Sequence, residues 1–118
     1  MGCMVAYIAA AAIQCQARSV GPGSLRRGGD AGAACMLSAF EECHPAGYSL
    51  SSFGVDTVRT ESFRLVGCKV YVTESFRVVP QQPRILGRFI CSRLRKTTAG
   101  DVVADRCTPR KTISLTGF

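Results

Sequence analysis

The sequence predicts a small single α+β domain, with one N-terminal helical region and a C-terminal antiparallel β-hairpin or sheet. Three observations carry that prediction. A near-repeat, Thr60–Val66 (TESFRLV) and Thr73–Val79 (TESFRVV), flanks a short turn-forming pair, Gly67-Cys68. An apolar-periodic run follows Asp30 and ends before Pro45. The chain has 118 residues, 47% of them apolar, which leaves room for one core and no second domain.

From the N-terminus, residues 1–17 carry no charged side chain before Arg18. The apolar run from Val5 to Ile13 is shorter than the ~20 residues of a bilayer span, so no transmembrane segment is expected. Its length suits the h-region of a signal peptide, and Cys15-Gln16-Ala17 offers small residues for cleavage before Arg18. The absence of Lys or Arg at the start of the run counts against that reading. Two rivals are an uncleaved Ala-rich helix and an acylated Gly2-Cys3 terminus, the latter weakened by Ala6 where Ser or Thr is preferred. Residues 18–29, rich in Gly with one Pro and several Arg, read as a flexible linker. Their glycines lack the Walker spacing and its Gly-Lys-Ser/Thr ending, which excludes a phosphate loop.

Residues 30–118 then form the domain. Asp30 is placed to cap a helix through Ala33, Leu37 and Phe40. Val55–Arg59 lead into a hairpin over about residues 60–79, with Gly67-Cys68 as a type II′ turn. Folded there, Phe63, Leu65, Val70 and Val72 share one face, and Ser62, Arg64, Lys69, Tyr71 and Thr73 the other. Residues 84–96 fit either an amphipathic helix or a strand. Arg93 inside the apolar arc and Gly87 at mid-helix tilt the reading to strand. Ala99-Gly100-Asp101 reads as a turn and Thr112–Leu115 as a last short strand.

Seven cysteines stand alone, without a C-x-x-C pair, so zinc knuckles and thioredoxin-like redox motifs have no support. Their wide spacing suits disulfides in an oxidising compartment or buried thiols in the cytosol. Cys35 and Cys43 are too far apart along a helix to bond to each other. Cleavage after Ala17 would leave five cysteines, with bonds expected among Cys68, Cys91 and Cys107. The absence of Asn rules out an N-glycosylation sequon. Arginine outnumbers lysine twelve to three, which together with the missing Asn points to a GC-rich coding sequence.

No constellation names a reaction, and an enzyme is not expected. His44 is the single histidine, and its neighbour Cys43 diverges from it. No metal-ligand spacing and no cofactor motif is present. Glu61 and Glu74 face each other at the open end of the hairpin, where an exposed rim is the expectation rather than a catalytic pair. The charge is informative. The net charge is +7, and residues 61–96 hold eight cations against Glu61 and Glu74. Arg64, Lys69, Arg77, Arg84, Arg88 and Arg95, with Arg93 and Lys96 beside them and Tyr71 among them, form the candidate anion-binding set. No RNA-binding signature accompanies them.

The expected function is that of a small secreted, disulfide-stabilised, non-enzymatic binding or effector-type protein with a basic β surface. Its partner would be anionic: an acidic protein, a polyanion or nucleic acid. The alternatives are a cytoplasmic basic protein with reduced thiols, contacting nucleic acid or another anion, and the product of an open reading frame without selected function.

Overall fold

The computed structural model describes residues 12–20 and 31–116. Eight strands and one helix occur among them, in the order β1 (Ile13–Gln14), β2 (Arg18–Val20), α1 (Ala31–Glu41), β3 (Ala46–Phe53), β4 (Thr57–Val66), β5 (Lys69–Val78), β6 (Arg84–Lys96), β7 (Val102–Thr108) and β8 (Ile113–Ser114). All the strands belong to one sheet, ordered β1-β3-β4-β5-β6-β7-β8, with β2 also pairing β3. The sheet curls into a half-barrel with α1 against its inner face. The expectation of an α+β domain is therefore overturned. The protein is mostly β, and the hairpin is the middle of a sheet that extends to both sides of it.

The hairpin keeps the register read from its sequence. Val66 pairs with Lys69, Leu65 with Val70, Arg64 with Tyr71 and Phe63 with Val72. Phe63, Leu65, Val70 and Val72 are buried on the inner face. The turn differs from expectation. Gly67 and Cys68 both take left-handed φ, 57° and 64°, which makes it type I′ rather than II′. Type I′ needs positive φ at both central residues, and Cys68 adopts it despite its side chain.

Helix α1 buries Ala33, Met36 and Ala39 along one stripe. It packs where a small residue is required: a methyl group on Gly32 would overlap the Gln16 carbonyl oxygen and the Tyr48 ring. The helix closes with a Schellman arrangement in which the His44 amide donates to the Ala39 carbonyl (2.8 Å) and the Cys43 amide to that of Phe40 (3.0 Å). Cys43, at φ 53°, occupies the left-handed position usually given to glycine. On the opposing sheet, Tyr48 packs on Phe63 at 5.9 Å between ring centroids, and its hydroxyl donates to the Leu115 carbonyl (3.1 Å). The C-terminal segment is thereby fastened across the core.

Three disulfides join these parts: Cys15–Cys35, Cys43–Cys68 and Cys91–Cys107. Cys91 and Cys107 pair with each other across β6 and β7. Cys68 does not join them, contrary to the expected grouping, because the hairpin turn lies against the end of α1 and meets Cys43. Cys15 anchors the segment after β1 to the helix. Cys3 lies outside the described residues, as do the run from Val5 to Ala11 and residues 21–30. Of the stretch read as a linker, Arg18–Val20 form a strand. Residues 84–96 form strand β6.

Candidate functional site

The alternation of the strands sorts the polar residues of the sheet into two different environments. On the outer face, β3 presents Ser49 and Ser51, β4 presents Thr60, Ser62 and Arg64, and β5 presents Lys69, Tyr71, Thr73, Ser75 and Arg77. Strand β6 adds Ile85, Arg88 and Ile90, since Arg88 pairs with Thr73 and Ile90 with Tyr71. The Ser51 and Thr60 hydroxyls meet across β3 and β4, 3.1 Å apart. The Arg64 guanidinium lies over the Tyr71 ring at 5.6 Å, a cation–π contact that holds both side chains at the surface. Ser62, Arg64, Tyr71 and Thr73 line a shallow depression of about 270 Å³. Among the described residues, no carboxylate occupies this face between β3 and the paired part of β5 and β6.

Five of the predicted binding residues thus share one surface: Arg64, Lys69, Tyr71, Arg77 and Arg88. The other two do not join them as free cations. Arg84 pairs with Phe76, whose alternation points to the inner face, because a bulge at Glu74/Ser75 shifts the register of β6. Arg95 is engaged: its Nε donates to Asp105 Oδ2 at 2.6 Å. An acidic neighbour on β7 therefore neutralises Arg95.

The inner face holds the carboxylates. Glu61 and Glu74 are paired across β4 and β5 and are buried, at 5% and 4% exposure. This overturns the expected exposed rim. Both share the inward alternation of Phe63 and Val72, and the sheet continues past them on either side. Lys111, arriving from the segment before β8, donates to both Glu74 oxygens at 3.0 and 3.1 Å. Arg59 Nη2 lies 3.7 Å from Glu74 Oε2. Burial, then the hydrogen bond to Glu74 and the charge of Glu74, push the Glu61 carboxyl up to about 8. Burial also acts to raise Glu74. The hydrogen bonds from Glu61 and Lys111, with the charges of Lys111 and Arg59, outweigh it and hold Glu74 below its ordinary value. At neutral pH the pair therefore shares one proton, carried on Glu61, beside a cleft of about 260 Å³ that Thr112 and Ser114 also line.

The alternation from Phe63 back to Glu61 was a signal available in the sequence for this pair. Lys111 was not, because 37 residues separate it from Glu74. Cys43, the neighbour of His44, is bonded to Cys68 and offers no thiolate. Among the described residues, no cluster of His, Cys, Asp or Glu is arranged to hold a metal ion, and no helix is long and apolar enough to cross a membrane. No family model, no curated protein and no solved structure matches the chain.

Proposed function

We propose that the protein is a small exported, non-enzymatic binding protein whose outer β face takes an anionic partner. One observation carries this reading. The hairpin turns both of its glutamates inward, so Arg64, Lys69, Arg77 and Arg88 stand on the outer face among hydroxyl groups with no carboxylate between them. With strands ~4.8 Å apart and a rise of ~3.3 Å per residue, Arg64 and Lys69 fall about a Debye length from each other, so an anion relieves their repulsion. Arg88 and Arg77 extend the positive face further along the sheet. Tyr71 and the serine and threonine hydroxyls add a flat, hydrogen-bonding floor. Three disulfides in so small a chain suit an extracellular setting. In this reading a leader peptide ends upstream of Ile13 rather than after Ala17. Cys15 is bonded and Ile13–Gln14 pair with β3, and removal of Cys3 leaves six cysteines, an even set.

The test is binding to heparin and to a single-stranded oligonucleotide over a range of salt. Affinity should fall steeply with salt through counterion release. Charge reversal at Arg64, Lys69 and Arg77 together should lower both the affinity and the salt slope, whereas reversal of Arg95 should change neither by much. Equal binding by the triple variant would remove the outer face as the site.

A further inference from the structure

The sheet is left open along part of one strand. Strand β6 pairs with β5 along most of its length, but β7 covers it only from Ile90 onward, through Ile90–Thr108 to Lys96–Val102. Beyond Thr108 the chain turns away at Pro109, and Lys111 crosses to the inner face to reach Glu74, its Nζ 4.9 Å from the centre of the Phe89 ring. Gly87, paired with Glu74, presents no side chain there. The result is that Arg84–Phe89 have no strand on their outer side among the described residues. Their backbone groups on that side face outward as a template for another strand. Ile85 and Leu86 are 48% and 51% exposed along the same edge.

We infer that this edge takes an extended acidic segment of a partner protein, which adds to the sheet as a strand beside β6. The inference rests on the anionic-partner reading above and names the partner's class. Charge decides among the occupants. A second copy of the chain, pairing antiparallel through the same edge, would crowd two Arg84 and two Arg88 into one short stretch of ladder, and like charges gathered there repel. An acidic strand brings the opposite sign to the same positions. The bulge at Glu74/Ser75 and the two arginines also resemble the devices by which edges resist aggregation. The two exposed apolar side chains beside them, Ile85 and Leu86, do not serve that end, but they suit a partner strand that carries apolar residues as well as acids. Because Ile85 and Arg88 point to the outer face, the partner strand would place a carboxylate opposite Arg88 and an apolar residue opposite Ile85. A polyanion without strand-forming backbone satisfies only the charges.

The probe is an acetylated and amidated peptide of alternating valine and glutamate. It is compared with the valine–lysine peptide and with a valine–glutamate peptide N-methylated at alternate residues. Amide hydrogen exchange and chemical-shift changes on the full chain are the readouts. The valine–glutamate peptide should protect amides within residues 84–89, and N-methylation should weaken binding by about tenfold or more through the lost backbone hydrogen bonds. The Arg84→Glu/Arg88→Glu variant should prefer the valine–lysine peptide. Equal binding of the N-methylated peptide, or protection of these amides by self-association of the chain alone, would overturn the inference. Heparin binding that shifts outer-face residues while the edge amides stay unprotected at saturating peptide would refute the edge and leave the outer-face reading standing. Loss of heparin binding with retention of the peptide would do the reverse.

Discussion

Replacing Glu61 by glutamine should flatten the dependence of stability on pH. In the folded chain Glu61 is buried, hydrogen-bonded to Glu74, and titrates at about 8 instead of the ordinary 4.5. A carboxyl whose folded value lies above its unfolded value stabilises the fold through its proton. That contribution is complete below 4.5 and disappears as pH rises through 8. Each unit of difference corresponds to about 1.4 kcal/mol, so the wild-type chain should lose on the order of 5 kcal/mol across this window. At about 4 °C per kcal/mol for a domain of this size, Tm should fall by ~20 °C. Glu74 acts in the other direction and elsewhere. Its lowered value contributes stability above 4.5 that is lost in acid, so it leaves the window above that value to Glu61. Glutamine cannot ionise, yet it retains a donor for Glu74. Glu61→Gln should therefore match the wild type near pH 5 and exceed it at pH 9, as read by thermal denaturation at closely spaced pH values. Parallel pH profiles for the two proteins would refute the shared proton and the argument built on it.

Two further predictions concern the assembly of the fold. Gly32→Ala should cost roughly 2–3 kcal/mol in chemical denaturation, because the added methyl meets the Gln16 backbone and the Tyr48 ring and drives α1 off the sheet. Alanine at the exposed Ser38 of the same helix should change little. Peptide mapping of the unreduced protein should return Cys15–Cys35, Cys43–Cys68 and Cys91–Cys107, and full alkylation without reductant would contradict all three.

The hairpin was legible in the sequence because its alternation is clean and its turn is short, so the pairing from Val66–Lys69 to Phe63–Val72 follows from counting. The flanking strands were less so. In β3 the outward positions are Gly47, Ser49 and Ser51, residue types that signal turns, and they mask the inward alternation of Ala46, Tyr48 and Leu50. In β7, Val102, Val103 and Ala104 are all buried, and Arg106 sits at φ 55°, so no simple period survives. Missing these strands is what made a mostly β fold read as α+β. The basic face was readable as a set of residues but not as a set of neighbours. Asp105 beside Arg95 and the bulge that turns Arg84 aside depend on pairings between distant segments. The same holds for Lys111 beneath Glu74.

The near-repeat has a geometric consequence of its own. When two tandem copies of a motif fold back on each other antiparallel, one position meets its own counterpart, and a local two-fold axis passes between them. Here that position is Glu61–Glu74, with Thr60–Ser75 and Ser62–Thr73 disposed symmetrically about it. Doubling the motif thus sets two identical acids face to face, and symmetry alone gives neither a claim to the hydrogen. Lys111 settles the matter by touching only Glu74, and Arg59 leans the same way. A residue from the far end of the chain breaks the degeneracy of a duplicated segment and makes two like side chains unlike.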